Sequence, residues 1–182
     1  ASQGDFARHL IVLRSLGAAA SEVRTPAELD GLDGLIIPGG ESTTISKAIE
    51  RDGLREPIVA HAASGRPILG TCAGMIVCDA EHLGLIDAVA RRNAFGRQAQ
   101  SFEAELAFEG IGAEPIDAVF IRAPWIDSHG PGVEVLARWE GHPVAVRDGN
   151  VLACAFHPEL TGDARVHGLF LAMATTAREG AG

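Results

Sequence analysis

No stretch of this chain approaches the roughly 18 uninterrupted apolar residues that mark a membrane-spanning helix, so none is expected. The first residues have no basic segment followed by an apolar one, so they do not read as a secretory leader. Cysteines are sparse and odd in number: Cys72, Cys78 and Cys154. That count argues against a disulfide scaffold and predicts reduced thiols in a cytoplasmic protein. None of the three makes the close ligand pair of a metal site, so no metal is expected. Lys and Arg form no extended run and the formal net charge is -9, which argues against a nucleic-acid-binding surface. Internal repeats, low-complexity segments and a convincing domain boundary are also missing. One domain spanning the 182 residues is expected.

What the chain does have is apolar material, 47% of its residues, arranged in a strand–turn–helix rhythm. A helix is predicted from about Asp5 to Leu16, with Phe6, His9, Leu10, Leu13 and Leu16 near one face. Ser21 to Thr25 reads as a short strand. Leu35-Ile36-Ile37, closed by Pro38-Gly39-Gly40, reads as a buried parallel strand. Ser42 is placed to cap the helix that carries Ile45, Ala48 and Ile49. A helix over Leu54 to Ala63 and a strand at Pro67 to Leu69 follow. Beyond Gly84 the texture shifts to strands: Gln100–Phe108, Ala118–Ile121, Val133–Trp139, and a hairpin of 143–147 with 151–156 turning at Asp148-Gly149-Asn150. A helix from Asp163 to Ala177 closes the chain, with Val166, Leu169, Phe170 and Met173 as its buried stripe. The rhythm predicts a three-layer α/β/α sandwich around a mostly parallel central sheet.

Gly70-Thr71-Cys72-Ala73-Gly74 sits between the strand ending at Leu69 and a helix beginning near Met75. Small residues around a cysteine at such a junction form a nucleophile elbow, which lifts the thiol clear of the sheet edge. A free thiol has a pKa of about 8.5 and needs help to ionise. His157, in Ala155-Phe156-His157-Pro158-Glu159, follows an apolar strand and is the candidate base. Pro158 keeps His157 extended, so Glu159, two residues on, projects to the same side and can orient the imidazole. Cys72, His157 and Glu159 thus form a candidate nucleophile, base and orienter. Taken singly, Cys72 also fits a structural thiol and His157 an ordinary loop histidine. Cys78 and Cys154 read as core residues, and the other six histidines, His9 and His167 included, as ordinary.

Attack on an amide creates an oxyanion that needs backbone donors. Pro38-Gly39-Gly40-Glu41-Ser42-Thr43-Thr44 offers them between a strand and a helix; Gly40 and Ala73 are the candidate donors. The loop lacks the Gly-Lys-Ser/Thr of a phosphate loop. Arg92 and Arg122 are candidate partners for the α-carboxylate of a glutamine-like substrate, against a plain reading as surface ion-pair residues.

PGGESTT at 38–44, GTCAG at 70–74, RNAFGRQ at 92–98, FIRAP at 120–124 and AFHPEL at 155–160 resemble the glutaminase subunits of pyridoxal 5'-phosphate synthase, within the triad-type class I glutamine amidotransferases. The resemblance implies that fold family (flavodoxin-like), hydrolysis of L-glutamine through a Cys72 thioester, and no cofactor. It implies glutamine binding at Gly39, Gly40, Glu41, Arg92, Ile121 and Arg122. It also implies a (β/α)8-barrel synthase partner that receives the ammonia, with weak activity until that partner rearranges the Gly39-Gly40 loop. Against the family pattern, only Ala1-Ser2-Gln3-Gly4 stands where a first strand ends, so that strand is expected to be absent from this numbering. The stretch 78–83 is also shorter than in many relatives. A silent binding subunit, the glutaminase of another pathway, and a related cysteine peptidase or chaperone are the alternatives.

Overall fold

Short apolar runs bounded by glycine and proline build the centre of the molecule. The computed structural model describes residues 5–95 and 101–180. In chain order the first half comprises α1 (Asp5–Ser15), α2 (Pro26–Leu29), β1 (Leu35–Ile37), α3 (Ser42–Arg51), α4 (Arg55–Ala63), β2 (Ile68–Thr71) and α5 (Ala73–Cys78). The second half comprises β3 (Ala88–Arg91), β4 (Ser101–Leu106), β5 (Ile116–Ile121), β6 (Trp125–His129), β7 (Glu134–Trp139), β8 (His142–Asp148), β9 (Val151–Cys154), a 3-10 turn at Pro158–Leu160, and α6 (Arg165–Gly180).

The main sheet runs β1-β2-β9-β8-β7. Its first three strands are parallel, with Leu35 beside Ile68 and Ile68 beside Val151. Every residue of β2 and β9 is buried, as a strand covered on both faces requires. β8 and β7 extend the sheet antiparallel through the hairpin turn at Gly149, whose φ is +55°. The sheet is therefore mixed, and its parallel half carries the strand ends that matter below. The whole is a three-layer α/β/α sandwich, and β3–β6 and β4–β5 form two further antiparallel pairs.

Several elements differ from the sequence reading. Ser21–Thr25 is not a strand. Among the described residues no strand pairs with this segment. The amides of Arg24 and Thr25 donate instead to the Glu28 carboxylate, at 2.7 and 2.9 Å. Ser42 is not the cap of α3; it is the first helical residue and buried. Glu41 caps, because its longer side chain reaches the amides of both Thr43 and Thr44, at 3.0 and 2.7 Å. β3 and β6 were not legible as strands, and the buried stripe of α6 includes His167. Ala1–Gly4 and Gly96-Arg97-Gln98 of the RNAFGRQ motif lie outside the described residues.

The stretch after α5 is knitted by one buried carboxylate. Asp79 accepts from the amides of Glu81 and His82 and from His82 Nδ1, and its other oxygen accepts from the Ala90 amide. A short connection is thereby fixed to β3.

Candidate active site

The elbow departs from its simplest reading in one respect. The positive φ falls on Cys72 itself (φ 50°, ψ -110°) and not on its glycines. A non-glycine residue there is strained, and such strain collects at functional positions. The glycines serve close approach. A Cβ on Gly74 would collide with the Ile37 carbonyl oxygen, and one on Gly70 would lie 2.6 Å from the Gly74 carbonyl oxygen. Without side chains at these two points, α5 can start directly against β1 and β2. The same packing brings the Pro38 carbonyl to the elbow, 3.4 Å from where a Gly74 Cβ would stand.

Backbone bonds fix both halves of the site. The Cys72 amide donates to the Cys154 carbonyl at 2.8 Å, continuing the β2–β9 ladder. The His157 amide donates to the Val119 carbonyl at 2.8 Å, anchoring the segment after β9 to β5. His157 is extended (φ -106°, ψ 87°), as its proline neighbour demands. Glu159 then lies in the 3-10 turn, not in a continued extended run, and that turn brings its Oε1 to 2.7 Å from His157 Nδ1. Both residues are buried.

His157 Nδ1 hydrogen-bonds Glu159, and Cys72 is the ring's other ionisable neighbour. Burial is the largest single influence on the ring and favours its neutral form. The interactions with Cys72 and Glu159 together outweigh burial and raise its pKa to about 10. A protonated imidazole beside Cys72 is the partner a thiolate requires.

The three cysteines separate cleanly. Cys78 and Cys154 are fully buried. Burial pushes the Cys78 thiol up to about 12, and burial, reinforced by Glu159, pushes Cys154 well above its usual range. Cys154 Sγ points at the Phe156 carbonyl, 3.6 Å away. Cys72 alone has the elbow and the histidine; its Sγ lies 3.8 Å from the Ile121 carbonyl oxygen.

The other site residues fall around this centre. Gly39 is buried and Gly40 exposed, with φ 149°. Both Glu41 oxygens are occupied by the cap of α3, and bonds from the Thr44 hydroxyl and the two threonine amides hold its pKa down to about 2. Arg92 Nη1 donates to Thr43 Oγ1 at 3.1 Å and lies 3.9 Å from Glu41 Oε1, so Arg92 meets the 38–44 loop. Ile121 ends β5, and Arg122 follows it, exposed and at φ 45°. The Ala94 amide donates to the Ala123 carbonyl at 3.2 Å, joining the RNAF and IRAP segments.

Three residues were missed. His9 lies 3.3 Å from Glu159 Oε2, outside good hydrogen-bond geometry, and bonds Thr71 and His167. The signal was available: His9 falls on the inward face of a helix, where a polar ring must find partners. Among the described residues no group of three or more His, Cys, Asp or Glu is placed to hold a metal, and no helix is long and apolar enough to cross a membrane.

Fold and site together define a class I glutamine amidotransferase. The family model of the SNO glutamine amidotransferases matches residues 1–176. The pyridoxal 5'-phosphate synthase subunit PdxT of Streptomyces avermitilis is 54% identical, over 98% of this chain and 93% of its own. That of Mycolicibacterium vanbaalenii is 54% identical, over 94% of each. A crystal structure of a glutamine amidotransferase superposes with a TM-score of 0.90 at 46% identity, covering 95% of both chains. The chain belongs to the SNO glutamine amidotransferase family, and it is an enzyme, a glutaminase.

Proposed function

We propose that this glutaminase supplies ammonia to a (β/α)8-barrel synthase subunit for pyridoxal 5'-phosphate formation, using Cys72, His157 and Glu159. The observation that carries the residue roles is the 2.7 Å hydrogen bond between His157 Nδ1 and Glu159 Oε1, with Cys72 at the elbow acting on the same ring. Cys72 sulfur attacks the side-chain carbonyl carbon of L-glutamine. The developing oxyanion takes hydrogen bonds from the amides of Gly40 and Ala73. His157 gives its proton to the departing nitrogen, which leaves as ammonia, and a γ-glutamyl thioester remains. His157 then takes a proton from water as that water attacks the thioester. Glutamate leaves and the thiol is restored. Glu159 holds the ring throughout. Gly39, Gly40, Glu41, Arg92, Ile121 and Arg122 bind the substrate, Arg92 and Arg122 by pairing with its α-carboxylate. The names of the relatives support the synthase partner, and three free thiols suit a cytoplasmic setting. We read the chain as one functional domain.

The test is ammonia release from L-glutamine, with and without the synthase. Wild type is expected to be slow alone and much faster in the complex. Cys72→Ala is expected to be inactive in both, and Cys154→Ala to stay active. Activity surviving in Cys72→Ala removes the mechanism; a wild-type complex with no activity indicates a silent subunit.

A further inference from the structure

α1 is a surface helix whose deepest residue is a histidine. Among its described side chains His9 is the buried one, at 3% exposure, while Phe6, Leu10 and Leu13 are half-buried. A buried ring needs polar partners. Those of His9 come from three other elements: His167 Nε2 of α6 at 2.9 Å from Nδ1, Thr71 Oγ1 of β2 at 3.2 Å from Nε2, and Glu159 Oε2 at 3.3 Å from Nε2.

The chemistry of these partners fixes the protons. A carboxylate only accepts, so the His9 nitrogen facing Glu159 and Thr71, Nε2, carries the hydrogen. Nδ1 is then bare and accepts from His167 Nε2–H. That leaves His167 Nδ1 bare, and it is the ring nitrogen of this pair without a hydrogen-bond partner. Burial holds both rings neutral, lowering His9 to about 3 and His167 to about 4.

Glu159 needs this support. Its side chain is fully buried, Oε1 is engaged by His157, and Oε2 has no hydrogen bond of good geometry. His9 Nε2 lies 3.3 Å from that oxygen, off the line of a hydrogen bond, and with its hydrogen it puts the positive end of the ring dipole beside the carboxylate. We propose that His9 is a positioning residue of the glutaminase site: from α1 it fixes the second oxygen of Glu159, and through Glu159 the ring of His157. This rests on the triad roles given above. With an apolar side chain in place of His9, Oε2 loses this polar neighbour and the carboxylate is free to rotate away from His157.

The test compares His9→Leu with His9→Gln in the full chain. Gln can donate its amide to Glu159 while its carbonyl accepts from His167. kcat and KM for L-glutamine are measured in the synthase complex, and the pH profile of Cys72 alkylation by iodoacetamide is measured on the chain alone. His9→Leu is expected to lower kcat about tenfold, as loss of an orienting partner does elsewhere, with KM within about twofold. Its alkylation profile shifts from wild type, and His9→Gln recovers most of both. A folded His9→Leu with wild-type kcat and profile overturns the proposal. Nitrogen NMR of the wild-type imidazoles gives a measurement that no variant's folding can spoil. A neutral His9 protonated at Nε2 is expected at pH 7; a charged ring, or one protonated at Nδ1, overturns the proposal. The triad reading fails separately, if wild type and His157→Ala share one alkylation profile.

Discussion

At Gly74 a single hydrogen atom in place of a methyl group decides how close a helix can start to a strand. The obstacle to a side chain is the Ile37 carbonyl, a backbone group of the central sheet that cannot swing aside. Gly74→Ala is therefore expected to cost about 3 kcal/mol, the upper end for overpacking a tight site, and to lower glutaminase activity because Cys72 is the N-cap of α5. Urea unfolding and the coupled ammonia assay check the two halves of this statement. The elbow motif itself was plain in the sequence. That Cys72, not its neighbours, takes the left-handed backbone was not, because a Gly-x-Cys-x-Gly string does not say which residue bears the turn. Nor was the choice among three cysteines made by composition: Cys78 and Cys154 are sealed in the core, while Cys72 stands at the elbow.

Among the elements, α3 shows how a binding-loop residue can also be structural. Glu41 is both a candidate substrate ligand and the cap of α3, where its charge faces the first-turn amides. Glu41→Ala is expected to fray the first turn, seen as faster amide hydrogen exchange at Thr43 and Thr44, and to weaken glutamine binding, seen as a raised KM. Unchanged exchange at these two amides rules out the capping role. Runs with strong apolar character, β1, β2, β5, β8 and β9, were legible as strands. β6 was not, since Trp125–His129 has two apolar residues and becomes a strand by pairing with β3. Ser21–Thr25 shows the converse, a strand-like string that pairs with no strand among the described residues.

For the whole molecule, buried histidines of opposite character set the response to pH. His9 and His167 have pKa values lowered from 6.5, to about 3 and about 4. Between 6.5 and those values the unfolded chain binds protons the folded chain refuses, so stability falls as pH falls. His157 is raised to about 10, so its contribution is full below 6.5 and is lost as pH rises toward 10. Cys78 and Cys154, raised from 9, add a further loss above pH 9. Stability measured by urea unfolding is expected to peak near pH 6.5 and fall on both sides, the acid limb becoming shallower in His9→Gln. An acid limb identical in that variant and wild type assigns the limb to other groups.

The sequence by itself determined the α/β class, the elbow, the His-Pro-Glu segment and the family, because each lies in a short string whose local geometry follows from glycine, proline and apolar runs. The tertiary structure decided what stands behind them. His9 and Glu159 are 150 residues apart in sequence, and only the packing of α1 on the turn after β9 puts one imidazole against the other's carboxylate. Local preference cannot encode such a meeting; it depends on which faces the folded sheet and helices bury together.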